Sequence, residues 1–459
     1  MDDHGDDYNH YVDNDDEQFA DHLDEHKIVP RDDRDDVYSL ILPPNRCTKR
    51  CLNTCDVCLS LFVISPLVII HWRGTWAIMD TNMEYFPPMN CFIFGMVFHL
   101  VIAMIREFLY TEYKKTKLQK RTWTRVMCRS ILTKLYAYLF SWTCQMHWRG
   151  GWAVIDKYFG IGWMQGLTET ASCLFLLLIF KSLRNVVAPP VLILTDTKEF
   201  AFGFPTRYRI ESAQEPGLYI LDCAFSVLVI GTLVVFVWRG TWVICDLVIY
   251  PDDIRMTAWG SLVIGYGVVA LTFAMQSLMR WACDRLKGFW RVAAADIFLF
   301  LSFIGTVNVW RGVWQLCDLY FLKDSPILSN SMTHSFAFLL LALLNCSNSV
   351  LVRGVYIDAE EPAGQCVIFP IYYIRLFFQK ERTKKQKRLI DALEKLEHNK
   401  TTEALLPDKA NKTPIILPMN NMTNIHQRSM ELQAMLGDVE SVNEKAQNVE
   451  HLILRSAED

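Results

Sequence analysis

One ten-residue pattern occurs four times in this chain, and its residue types can hold charge. The copies read HWRGTWAIMD from His71, HWRGGWAVID from His147, VWRGTWVICD from Val237 and VWRGVWQLCD from Val309. The common form is W-R-G-x-W-x-x-x-D. Arg precedes Asp by seven residues in every copy: Arg73/Asp80, Arg149/Asp156, Arg239/Asp246 and Arg311/Asp318. Two kinds of chemistry fit. In the first, each copy is a structural corner. Gly ends a helix, Arg complements the negative pole there, and Trp72, Trp148, Trp238 and Trp310 sit at a membrane–water boundary. Each Asp then pairs with the Arg of its own copy. In the second, the four Arg converge on one outer vestibule and attract carboxylate, phosphate or sulfate, with Asp orienting them and Trp adding cation–π contacts. Arg residues locked to Asp make a scaffold; unpaired ones make a site.

The elements that position these motifs are apolar runs. Hydrophobic residues make up 51% of 459 residues and mean hydropathy is +0.14 despite 21% charge, so charge and apolarity must be segregated. The first 36 residues hold 15 Asp/Glu against Lys27, Arg31 and Arg34, a net −12. The whole chain is −4, so the remainder is +8. That pattern argues against a simple soluble enzyme, a disulfide-stapled secreted domain and a nucleic-acid-binding domain. Runs of about 18 or more apolar residues suffice to cross a bilayer. Eight are found, near 55–74, 89–110, 130–149, 163–184, 217–238, 258–280, 292–310 and 332–352. The third, broken by Lys134 and Gln145, is the weakest. Each motif ends an odd-numbered span and an even-numbered span follows. The expected fold class is therefore all-α: a polytopic membrane protein of eight transmembrane helices, built as four tandem helical hairpin repeats.

Orientation follows from the basic residues. Three loops, 111–134, 181–209 and 280–291, carry 17 Lys/Arg, against seven in the four opposite loops. Both termini are expected in the cytoplasm, with the motifs on the far side. The expected organisation is an acidic disordered cytoplasmic tail over 1–45, the membrane domain over 46–355 and a cytoplasmic tail over 356–459. Within the last, CVIFPIYYIRLFF is expected at the membrane interface and KERTKKQKR beside anionic lipid. RLIDALEKLEH and a stretch near 430–455 read as amphipathic helices. The sequons at Asn399, Asn411 and Asn421 fall in this tail and are expected to stay unglycosylated.

Polar residues inside spans mark pathways or interhelical hydrogen bonds. The candidates are His99, Gln145, Gln276, Asn308, Asn345 and Asn348. Asp56, Asp222 and Asp296 open three odd spans, where the second repeat has Lys134; the even spans finish with Arg106, Arg184, Arg280 and Arg353. No catalytic motif is found, so no enzyme, cofactor or metal is expected. Cys47, Cys51, Cys55 and Cys58, beside basic residues at the first span, read as candidates for palmitoylation or as plain reduced thiols.

The acidic start, the eight spans and HWRGTW at 71, HWRGGW at 147, VWRGTW at 237 and VWRGVW at 309 resemble the Fuseless family of invertebrate membrane proteins. The resemblance covers residues 45–355. It implies a non-enzymatic presynaptic role: localising voltage-gated calcium channels at active zones and supporting calcium-dependent vesicle exocytosis. The implied partners are membrane lipid and, through the tails, a presynaptic scaffold or calcium channel, with no nucleic acid. The alternative from the residues themselves is a transporter or channel for an anionic small solute, using the Arg ring.

Overall fold

Lipid offers no partners for backbone N–H and C=O groups, so an apolar run must satisfy itself as a helix. The computed structural model describes residues 46–118, 122–196, 202–212, 215–359, 364, 366–371, 373–375, 378 and 388. The acidic tail, the basic run from Lys380, both amphipathic stretches beyond Arg388 and the three sequons lie outside them. Among the described residues there is no strand.

Among the described residues, eight long helices form. Helix α1 runs as Arg46–Leu59 and Ser65–Thr81 around a π-helical turn, Ser60–Ile64. Then come α2 (Pro88–Leu118), α3 (Trp123–Phe159) and α4 (Trp163–Ile179). Helix α5 runs as Pro216–Ala224 and Thr232–Val248 around a second π turn, Phe225–Gly231. Helices α6 (Ile254–Arg285), α7 (Gly288–Tyr320) and α8 (Pro326–Leu343) follow. Six are long and apolar enough to cross a membrane: all but α3 and α4. Helix α3 has 37 residues but is too polar, and α4 has only 17.

The odd helices form a closed inner ring, α1 to α3 to α5 to α7 and back to α1, and the even helices lie outside it. In their most apolar stretches, 44–61% of residues are buried in α1, α5 and α7, against 17–39% in α2, α6 and α8. Outward residues such as Phe94 and Val263 stay apolar and exposed, which suits lipid rather than water.

Two expectations change here. The tight pairs are not the tandem hairpins: α2 packs on α3, α4 on α5, α6 on α7, and α8 on α1, which no loop joins. Motif glycines set this pairing. They do not end the helices, which continue to Thr81, Phe159, Val248 and Tyr320. Instead each lies where the outer helix comes closest. A Cβ at Gly150 would sit 2.4 Å from the Phe92 backbone nitrogen, and at Gly312 2.6 Å from that of Leu262. Small residues let helices without a hydrophobic drive between them gain contact by close approach.

The fourth and eighth spans also end early. Helices α4 and α8 stop at Ile179 and Leu343, short of 184 and 352. Lys181 and Asn345 adopt left-handed φ of +47° and +53°, which turns the chain back. Short 3-10 turns, Leu183–Val186 and Ser347–Val350, then lead two irregular segments into the centre of the ring. Each caps the other. Asp358 accepts the N–H groups of Leu183 and Arg184, both at 2.7 Å, and its own N–H bonds the Lys181 carbonyl. Asp196 accepts the Asn348 N–H at 2.8 Å, and its N–H bonds the Asn345 carbonyl.

Residues 366–371, expected at the interface, belong to this interior: Cys366, Val367, Phe369 and Ile371 are buried. Asp56 of α1 explains why the chain stays in. It takes the N–H groups of Tyr373 and Ile374 and the Arg375 side chain at 2.8 Å. Asp222 of α5 does the same for Tyr208 and Ile210. The expected boundary at 355 therefore cuts through a packed segment.

Replacing Gly150 by Leu should destabilise the bundle by about 1–3 kcal/mol, because backbone rather than a flexible tip blocks the new side chain. Thermal unfolding in detergent measures this; a variant as stable as the parent would show that α2 and α3 are not held at this distance.

Candidate functional site

A Trp pair four residues apart points from one helix face. Four parallel inner helices therefore present two tiers of indoles to the axis. In the first tier Trp72, Trp148, Trp238 and Trp310 meet edge to face around the ring, with centroids 5.4–5.7 Å apart and planes at 71–85°. In the second, Trp76, Trp152, Trp242 and Trp314 repeat this at 5.6–5.9 Å. Edge-to-face pairs add about 0.5–1.5 kcal/mol each beyond burial. The first tier is buried, so it is not the interfacial belt expected from sequence.

The first tier also has a polar task. Trp N–H is a donor only. Trp72 donates to the Val350 carbonyl at 2.9 Å, Trp238 to Val186 at 2.9 Å and Trp310 to Pro189 at 2.8 Å. These carbonyls belong to the irregular segments inside the ring, where an unmet group would cost about 1–3 kcal/mol. Indoles thus make re-entrant backbone tolerable at this depth.

The motif arginines turn away from the axis, towards the neighbouring helix. Arg149 bonds Asp80 at 2.6 Å, Arg239 bonds Asp156 at 2.7 Å, Arg311 bonds Asp246 and Arg73 bonds Asp318 at 2.7 Å. Every Arg pairs with the Asp of the preceding repeat, and the first closes onto the fourth. The own-repeat pairing expected from sequence does not form. A helix rising 1.5 Å per residue separates residues seven apart by about 10 Å. The four Arg are at most 5% exposed. Each takes a further partner: Ser329 for Arg73, the Phe86 carbonyl for Arg149, Glu169 for Arg239 and Ser261 for Arg311. A cation–π contact accompanies them, Arg311 over Trp242 at 5.9 Å. The arrangement is a closed girdle, with its cationic groups already engaged by carboxylates.

Two cavities lie along the axis. The first, about 230 Å³, is walled by all eight motif tryptophans, by Val187, Ala188, Pro189, Leu192 and Leu194, and by residues 349–352. The second, about 330 Å³, sits beside it beyond Trp148, Leu192, Leu194, Leu351 and Val352, which line both. His99, His147, Arg184 and Arg353 line the second. In the sequence these four belong to different spans; the ring brings them to one wall.

The two motif histidines differ. His71 stacks on His334 at 5.0 Å. His71 contacts the His334 carbonyl and Ser141, while His334 contacts Thr75 and Tyr138, so all four ring nitrogens have partners. His147 meets His99 edge to face at 5.4 Å, yet Nε2 of neither has a hydrogen-bond partner among the described residues. Of the other buried polar candidates, Asn308 bonds the Ile304 carbonyl, Asn345 accepts Lys134, and Asn348 joins the segment caps. The Gln145 side chain, fully buried, has no hydrogen-bond partner among the described residues. Lys134, where other repeats have Asp, reaches Asp196 at 3.5 Å. Cys51, Cys55 and Cys58 are exposed along α1; the Cys47 side chain lies outside the described residues.

Mutant cycles separate the girdle from same-repeat pairing. Asp80→Asn with Arg149→Gln should show coupling of about 1–3 kcal/mol in unfolding free energy, and Arg149→Gln with Asp156→Asn almost none. The reverse order would break the ring described above. Independently, Trp238→Phe should cost about 1–3 kcal/mol by stranding the Val186 carbonyl. A loss no larger than that of Trp242→Phe, whose indole N–H bonds none of the described residues, would remove the donor role.

No curated protein and no solved structure matches the chain. A family model does, the one described as Fuseless, over residues 51–351, which is more than half of the 459. That stretch runs from the start of α1 through all four motifs to the second irregular segment inside the ring. With six helices apolar and long enough to cross a bilayer, this integral membrane protein belongs to the Fuseless family.

Proposed function

We propose that the chain is a non-enzymatic organiser of the presynaptic membrane, regulating where voltage-gated calcium channels sit at active zones and, through them, calcium-dependent vesicle exocytosis. In this reading all eight helices cross the bilayer, both termini are cytoplasmic, and the tails contact a presynaptic scaffold or the channel. Family membership supports the role. The observation that carries it is the girdle: four arginines each closed onto a neighbour's carboxylate make a body that keeps its shape and leaves recognition to its cytoplasmic segments. The same geometry weighs against an anion pathway through the motif arginines, since an arriving anion would have to displace an intramolecular carboxylate from each. Exposed Cys51, Cys55 and Cys58 at the membrane edge suit acylation that would add to anchoring. Hydroxylamine-sensitive acyl exchange unchanged after Cys47, Cys51, Cys55 and Cys58 all become Ser would dispose of that addition.

Calcium-channel clustering at terminals lacking the endogenous protein tests the main reading. Full-length chain should restore it, and chain without residues 1–40 and 380–459 should reach the membrane but fail to. Clustering restored by the truncated bundle would sink tail docking.

A further inference from the structure

We propose that the first cavity binds an organic cation with a quaternary ammonium group, held among the motif tryptophans and drawn in past the motif carboxylates. The proposal does not depend on the organiser role.

The cavity is a box of indoles. All eight motif tryptophans line it, and among the described residues no charged side chain does. A closed cycle of edge-to-face pairs butts each edge against the next ring's inner face, so the enclosed space is walled by faces. An indole face carries the negative part of the ring quadrupole. The two tryptophans of each copy are four residues apart, which sets the tiers about 6 Å apart along the axis. Neighbouring centroids within a tier are 5.4–5.9 Å apart. A cation midway between the tiers then has all eight centroids at about 5 Å, inside the roughly 6 Å over which a ring attracts it. Trp attracts cations more strongly than Tyr or Phe. A quaternary ammonium donates no hydrogen bond, so an indole wall strands none of its groups. A metal ion or a primary ammonium would have to shed bound water there.

Two further observations agree. First-tier indoles have a polar task, but second-tier ones have none: the N–H groups of Trp76, Trp152, Trp242 and Trp314 bond none of the described residues. What Trp brings to that tier, in all four copies, is its ring and not its donor. Each motif Asp then lies four residues beyond the second-tier Trp, on the same helix face: Trp72, Trp76 and Asp80 in the first copy, and likewise in the others. The carboxylates therefore form the next tier along the axis. They are 31–51% exposed, their arginines at most 6%. Each Arg bonds Oδ1 of its Asp, and no described residue bonds Oδ2 in any of the four. The four pairs are neutral together, yet they turn carboxylate oxygens to water and bury the guanidinium groups. A rim of that polarity attracts cations to the box beneath it.

Full-length protein in nanodiscs free of choline lipids, equilibrated with radiolabelled probes, tests this. Choline should bind at least about tenfold tighter than 3,3-dimethylbutan-1-ol, its uncharged isostere, and than ethanolamine. Protein grown with 5-fluorotryptophan, which weakens the ring quadrupole and barely changes its shape, should bind choline about threefold more weakly and the alcohol as before. Trp314→Leu should weaken choline about tenfold, and Trp259→Leu, on the exposed face of α6, should leave it unchanged. Should Trp314→Leu fail to fold, the fluorinated protein asks the same question. Phosphatidylcholine added to the discs competes if the natural source is a lipid headgroup and does not if it is a free solute; both carry the group proposed. Alcohol or ethanolamine binding as tight as choline binding, full choline affinity in the fluorinated protein, an equal loss in Trp259→Leu, or no binding of any probe would each overturn the proposal.

Discussion

A guanidinium cannot be sealed inside a helical bundle without a carboxylate to face it, and here four are sealed at once. Removing either charge from such a pair strands the other at a cost of about 3–5 kcal/mol. The seven-residue spacing puts Arg and Asp on one face of a continuous helix but about 10 Å apart along it. The motif Asp that each Arg meets is therefore a neighbour's. Once each helix borrows from the one before it, the chain of pairs is left with two free ends unless Asp318 returns to Arg73, and it does. The inner ring follows: four parallel helices, side by side, in sequence order, closed.

That closed ring creates a second demand. Two stretches of irregular backbone enter its centre. Their carbonyls and N–H groups need partners that lipid and helices do not supply. Three first-tier indoles answer the carbonyls, and Asp196 and Asp358 answer the N–H groups reciprocally. These contacts repeat by halves, Trp72 with Trp238 and Asp56 with Asp222, so a twofold pattern of inserted segments lies within the fourfold pattern of motifs.

Departures from that symmetry are concentrated in one place. Lys134 stands where other repeats have an acid, one histidine pair is saturated and the other is not, and the larger cavity lies beside the unsaturated pair. A scaffold would gain from keeping its repeats alike. Local breakage of the pattern, with buried polar atoms left unmet, is where a sequence gives up stability for something other than the fold.

Much was legible beforehand. The apolar runs predicted helices near all eight observed positions, because a backbone in lipid has so few solutions. The repeat was plain in its fixed letters, and with it the equivalence of the four Arg–Asp sets. What the letters could not carry was the partner. Gly after Arg predicts a helix end when read locally, and close helix packing only when Phe92 or Leu262 is seen to lie against it. Asp seven residues from Arg predicts an intramotif pair until the helix is known to run straight through. Trp predicts a boundary residue until a carbonyl from residue 186, 189 or 350 is found at its N–H. Nor could residues 180–196 and 344–359 be placed, since irregular backbone has no periodicity to read. The sequence determined which residues are helical and which repeat; tertiary structure alone decided which repeat each side chain answers, because contacts between distant segments depend on where helices are set relative to one another and not on the order of letters along any one of them.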